Sequence, residues 1–206
     1  QDGVFVSYYD TKKMLPLWKE EKPDLKLVHS MVLQDITMRV DLAYKAFFRR
    51  VKSEEEKAGF PRFKGEGRYD SMTYPQYGNG VRIDGKYLVL SKIGSIKVNL
   101  HRDLCGTPKT ACVRRTNTGK WFVTFSCECV ETPLPTELKA IGIDVGTSTL
   151  ATLSDGEKVK NPRFFKTEKK ALAKAQRKLD GIEKGTLARE KQKKVISRIH
   201  ERIANK

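Results

Sequence analysis

From Val28 to Val51 apolar residues recur at Val28, Val32, Ile36, Val40, Ala43, Phe47 and Val51, spacings of four and three that trace one stripe along a helix. The other face of that helix carries Arg39, Lys45, Arg49, Arg50 and Lys52, and Gly59 and Pro61 in "SEEEKAGFPRFKG" mark its end. From Gly67 the period changes from helical to two, and no single element type fits both halves. The chain must therefore combine a long amphipathic helix with a separate antiparallel β region, an α+β architecture.

Upstream, "GVFVSYYD" is β-prone, and Ser7 or Asp10 can cap a brief helix through Trp18, with Pro16 limiting its regularity. Downstream, "VRIDGKYLVL" predicts strand, tight turn, strand, and "SIKVNL" a third strand. "KTACVRRTNTGKWFVTFSCECV" predicts a longer hairpin around Asn117, Thr118 and Gly119. Short strands so closely spaced suggest a small barrel or curled sheet. "ETPLPTE" reads as a linker, after which "AIGIDV" and "TLATLSDGEKV" predict adjacent strands that "KNPRFF" could extend. Residues 166–206 predict two helices folding back on each other at Gly181–Gly185.

Charge narrows the functional classes. The 206 residues hold 41 Lys and Arg against 25 Asp and Glu, a net +16, which is the footprint of a nucleic-acid binder. More than half of that surplus lies in residues 166–206, with 14 basic and 5 acidic side chains. No apolar run nears the roughly 20 residues that span a bilayer, and the first ten residues do not resemble a secretory signal. A soluble, cytoplasmic protein without membrane partners is expected. Cys105, Cys112, Cys127 and Cys129 contain no C-x2-C pair, so no zinc site is expected from them, and buried reduced thiols are. Cys127 and Cys129 fall on one face of a strand. The chain opens on Gln and stops within the amphipathic "VISRIHERIANK", as expected of a piece of something longer.

The stretch with most chemical content is "KAIGIDVGTSTLATLSDG". Asp144 follows an apolar, buried-type strand and is flanked by Gly142 and Gly146, which allow close approach of a ligand. A carboxylate at such a strand end suits Mg2+, with substrate phosphates completing the shell, and could anchor two-metal phosphodiester hydrolysis. Asp-x-Gly is equally ordinary turn chemistry. "GIDVGTS" resembles both the first phosphate loop of sugar kinases related to actin and hexokinase and the first catalytic strand of RuvC-like nucleases of the RNase H fold.

The surroundings favour the second. "AYKAFFRRVKSEEEKAGFPRFKG", "YDSMTYPQYGNGVRIDGKYLVLSKIGSIKVNLHR", "GIDVGTSTLATLSDGEKVKNPRFF" and the basic helices "LAKAQRKLD" and "VISRIHERIANK" together resemble the TnpB family, the transposon-encoded proteins also called OrfB. The sugar-kinase loop opens its chain, whereas about 140 residues precede it here. The resemblance implies a helical recognition lobe with an edge strand over 1–66, a wedge-like β-barrel over 67–138, and over 139–206 the start of a RuvC-like domain with its basic helix pair. It also implies an RNA-guided DNA endonuclease whose partners are a guide RNA and a double-stranded target, in a bacterial or archaeal, nucleoid-associated setting.

Under that resemblance Asp144 matches the first of three acidic metal ligands, with Mg2+ the expected ion. The remaining Glu and Asp, and the family's zinc ribbon, lie beyond Lys206. Asp155 in "SDGEK" reads as a plain hairpin turn. Nucleic-acid contacts are expected from Arg49, Arg50, Arg62, Lys64, Arg114, Arg115, Lys174, Arg177, Lys178, Lys193, Lys194 and Arg198, all suited to phosphates or 2′-hydroxyls rather than bases. Arg114 and Arg115 alternate across a strand, so only one can be buried and paired. Ser30 and Gln34, one helical turn apart, with Tyr8 upstream, fall where the family reads its flanking DNA motif, and a Gln can bond adenine bidentately. Phe47, Phe48, Phe60 and Phe63 are expected in core and turn packing. His29, His101 and His200 lack ligand spacing. A catalytically inactive relative that binds RNA and DNA would look the same through Lys206.

Overall fold

A computed structural model describes residues 6–53, 58–65, 67–130 and 140–205. The chain divides into two units, one of residues 1–116 and 121–130, the other of residues 117–120 and 131–206. The architecture of the described residues is α+β, built from helices and three small antiparallel sheets.

The first unit opens with α1 (Tyr8–Glu21). Ser7 and Asp10 form a capping box: the Ser7 hydroxyl accepts from the Asp10 N–H, and the Asp10 carboxylate accepts from the Ser7 N–H at 3.0 Å. Those Ser7 hydrogen bonds hold the Asp10 carboxyl below the usual carboxylate range. The cap also overrides the β tendency of "VSYYD": Tyr8–Asp10 are the first turn of the helix rather than a strand, and Gly3–Phe5 lie outside the described residues. The helix runs on through Pro16 to Glu21, and a 3-10 turn (Pro23–Leu27) leads to α2 (Ser30–Ser53).

His29 starts α2, its Nδ1 accepting the Met31 N–H at 3.3 Å. Val32 and Leu33 are buried in the first turn, but Ile36, Val40 and Val51 remain well exposed. The apolar stripe is therefore real but largely uncovered in this unit. One polar clamp ties α2 to the sheet. Asp35 pairs with Arg39 at 2.6 Å, and the same guanidinium donates to Ser71 and Thr73 on β1 at 3.3 and 2.5 Å.

Six strands follow: β1 (Ser71–Tyr74), β2 (Val81–Asp84), β3 (Tyr87–Leu90), β4 (Gly94–Lys97), β5 (Thr107–Arg115) and β6 (Trp121–Glu128). The predicted hairpins form, β2 with β3 and β5 with β6. The expected barrel does not close among the described residues. The strands make two three-stranded sheets, ordered β1-β5-β6 and β2-β3-β4. Four of the six strands are only four residues long, too short for the stagger that closure demands. The sheets instead share one core of Val32, Tyr74, Val81, Leu88, Leu90, Ala111 and Val113. Tyr77 stitches them, its N–H donating to the Lys109 carbonyl at 2.7 Å and its hydroxyl accepting the Ile83 N–H at 2.8 Å.

The second unit holds β7 (Ile143–Val145), β8 (Thr149–Leu153) and β9 (Lys158–Lys160) in that spatial order, then α3 (Phe164–Asp180) and α4 (Leu187–Ala204). "PRFF" does not extend the sheet. Asn161 Oδ1 accepts the Arg163 N–H at 3.0 Å, turning the chain so that Phe164 and Phe165 begin α3. The helices fold back as expected, around Leu172, Ala175 and Ile199 with Ile196 and Ile203 beside them. The buried Gln192 amide donates to the Ala175 carbonyl at 2.9 Å. Thr186 caps α4, and Arg189 donates to the carbonyls of Leu179 (2.8 Å) and Ile182, so one side chain satisfies the exposed end of α3. No helix among the described residues is long and apolar enough to cross a membrane.

Candidate nucleic-acid interface and the Asp144 strand

Asp144 is the middle residue of β7, facing Thr152 of β8, on an outer strand of its sheet. Backbone bonds fix both ends of the strand: Ser154 N–H to the Gly142 carbonyl at 2.9 Å, and Gly146 N–H to the Leu150 carbonyl at 3.3 Å. The Ser154 hydroxyl also accepts the Gly142 N–H at 3.1 Å. The strand is not buried, contrary to its apolar sequence. Ile143 and Val145 are 64% and 72% exposed, because the short sheet presents both faces of β7 to solvent in this unit. Asp144 is exposed with them.

Its carboxylate has the hard-oxygen chemistry that Mg2+ prefers. Among the described residues, however, no three His, Cys, Asp or Glu side chains gather where they could hold a metal. One carboxylate does not make a two-metal site, and no catalytic step follows from these residues alone. Asp155 is a turn residue as expected, accepting the Glu157 N–H at 3.0 Å.

The cysteines depart from expectation in their burial. All four are free, but Cys105 and Cys129 are exposed. They sit where the β5–β6 ladder runs out, past the Thr107–Glu128 pair, with no core to cover them. The Cys129 thiol donates to the Cys105 carbonyl at 2.9 Å, and the neighbouring Cys105 side chain, by its hydrogen bond, holds the Cys129 thiol above its usual range.

The basic candidates fall into clusters. Lys174, Arg177 and Lys178 are exposed at i, i+3 and i+4 of α3, a single face. Lys193, Lys194 and Arg198 are exposed on α4, where Glu190 neutralises Lys193 at 2.6 Å. Arg49 is exposed near the end of α2 while Arg50 is half-buried. Arg62 and Lys64 are exposed in the "PRFK" segment, with the Lys64 ammonium 5.1 Å from the centre of the Tyr69 ring. Arg114 and Arg115 are both exposed, so neither is the buried member of an alternating pair. The core ends at Val113 and the strand runs two residues past it.

Ser30 and Gln34 occupy the first turns of α2, where the Ser30 hydroxyl accepts from Lys19 at 2.8 Å. Tyr8, half-buried at the start of α1, lines a groove of about 520 Å³ with Trp18, Val40, Tyr44 and Phe48. Phe47 and Phe60 pack edge-to-face at 5.3 Å, but Phe48 and Phe60 stay exposed and Phe63 is almost fully so, departing from the expected core packing. Tyr69, Trp121 and Phe122 are among the exposed aromatics that periodicity did not single out. Their signal was present, since Trp121 and Phe122 directly follow a Gly-containing turn beside an Arg-Arg pair.

The fold is a basic α+β chain carrying one candidate acidic ligand and several cationic faces. A profile of the family described as "Probable transposase" matches residues 113–206. Two curated proteins align with nearly the whole chain. "Putative RNA-guided DNA endonuclease InsQ" of Escherichia coli (strain K12) is 34% identical over 206 residues, 98% of this chain and 49% of that protein. A "Putative RNA-guided DNA endonuclease" of Streptomyces pristinaespiralis is 32% identical over 207 residues, 98% of this chain and 50% of its own length. Over nearly its whole length the chain is similar to these OrfB, or TnpB, proteins of transposons. It spans about half the length of the curated relatives it matches.

Proposed function

We propose that this chain is the part of an RNA-guided DNA endonuclease of a transposable element that grips guide RNA and target DNA. The observation that carries this reading is the end-to-end likeness to two proteins named for that activity, over 98% of the chain in each case. The finer division belongs to the same proposal: a recognition lobe through residue 66, a wedge-like region over 67–138, and the start of a RuvC-like domain from 139, working in the cytoplasm.

In this reading Lys174, Arg177, Lys178, Lys193, Lys194 and Arg198 follow phosphates, as do Arg49, Arg50, Arg62, Lys64, Arg114 and Arg115. Ser30, Gln34 and Tyr8 lie toward the flanking DNA motif. Asp144 supplies the first acidic ligand for Mg2+, with the other ligands furnished by residues outside this chain. Exposure of β7 supports that role, because a ligand strand must stay open to substrate.

The test is to express the 206-residue protein beside its native locus, purify it in moderate salt, and sequence the RNA that accompanies it. One discrete structured RNA is expected. No RNA, or an unselective mixture, would remove the RNA-guided reading for this part of the protein.

A further inference from the structure

Trp121 and Phe122, the first two residues of β6, are 58% and 53% exposed. They alternate across the strand, so both faces of the sheet carry an uncovered aromatic ring at this end. Register pairs Trp121 with Arg115 and Phe122 with Arg114. Paired residues share a face, and the Arg115 guanidinium indeed lies 5.9 Å from the centre of the Trp121 ring. A second cation and ring meet close by. The Arg115 N–H donates to the Asp70 carbonyl at 2.6 Å, which places Tyr69 one residue from that contact. Tyr69 is 55% exposed, and a turn closed by the Arg68 N–H and Gly65 carbonyl brings Lys64 over its ring.

Two exposed rings, each with a cation against it, occupy one end of the β1-β5-β6 sheet. Single exposed apolar residues need no explanation, but aromatic rings interleaved with cations form the surface on which unpaired bases stack while phosphates find charge. A duplex hides its base faces and cannot use such rings. We infer that Trp121, backed by Arg115, is a stacking site for an unpaired nucleotide of RNA, and that Tyr69 with Lys64 receives a neighbouring one. This rests on the RNA-binding reading above and adds to it residues that contact bases rather than phosphates.

The chain has two tryptophans, Trp18 and Trp121, so in a Trp18→Phe protein Trp121 is the sole indole reporter. That protein is titrated with an unlabelled single-stranded RNA ten-mer, its duplex, and the single-stranded DNA of the same sequence. Binding is measured separately by anisotropy of labelled copies. Single-stranded RNA is expected to bind and quench Trp121 strongly, and the duplex to leave its emission nearly unchanged. Trp121→Ala should weaken single-strand binding by about 5- to 100-fold, with Trp121→Phe close to the parent. Binding without quenching, or equal quenching by the duplex, would overturn the stacking site while leaving RNA binding intact. Stronger quenching by the DNA strand would overturn the assignment to RNA. Absence of RNA binding by anisotropy would overturn the proposed function and this inference with it.

Discussion

Replacing Gly80 by alanine tests how α2 is seated on the β region. Gly80 has φ +87°, and a Cβ there would sit 2.6 and 2.7 Å from His29 Nε2 and Nδ1. His29 cannot step aside freely. Its Nδ1 holds the Met31 N–H, and its ring centre lies 5.8 Å from that of buried Tyr74. Gly78 is the internal control, with φ +86° and no atom within 4 Å of the place a Cβ would take. Gly78→Ala should therefore cost only the backbone term, about 1 kcal/mol. Gly80→Ala adds overpacking against the imidazole, about 1–3 kcal/mol more. Both tryptophans lie in the first unit, so urea unfolding followed by their fluorescence reports on that unit. At a slope of about 2 kcal/mol/M the Gly80 midpoint should fall by roughly 1–2 M, and the Gly78 midpoint by about 0.5 M. In a His29→Ala background the gap between the two variants should close, as a double-mutant cycle reveals. Equal midpoints for the two alanine variants in the parent protein would refute the argument.

Three further outcomes are expected. Burial is the main influence on Asp35 and raises its pKa, outweighing the opposing pull of Arg39, so the folded state holds its proton more tightly than the unfolded state. The contribution of Asp35 to stability should thus be greatest in acid and decline as pH rises from the ordinary aspartate value of 3.8 through the raised folded value; Asp35→Asn should remove that slope in urea titrations across pH, and an unchanged slope would contradict it. Arg189→Met should remove the two bonds that close the α3–α4 turn and cost about 1–3 kcal/mol, seen as an earlier loss of helical circular dichroism on heating. Neutralising Lys174, Arg177 and Lys178 together should weaken RNA binding without regard to sequence and lower the log–log salt slope by about 2, measured by anisotropy across a KCl series.

The local elements were legible in the chain because each has a local cause. Ser7 and Asp10 announce the start of α1, the alternation in "VRIDGKYLVL" announces a hairpin, and Gly181–Gly185 separates two helices whose apolar positions meet at Leu172, Ala175 and Ile199. The likeness to the OrfB proteins was legible too, in motifs that follow one another in order. The misreadings share another cause. The barrel, the buried cysteines and the buried strand at Asp144 all depended on what lies against a segment, and periodicity names a face without naming its cover. Trp121 shows the same limit from the other side. The turn and the Arg-Arg pair mark its neighbourhood in the sequence, but only tertiary structure reveals that the core stops at Val113, leaving the ring open beside Arg115. Backbone preference and capping act within a few residues and are written in sequence; burial is decided by distant residues competing for the same surface, and that competition is resolved only when the chain has folded.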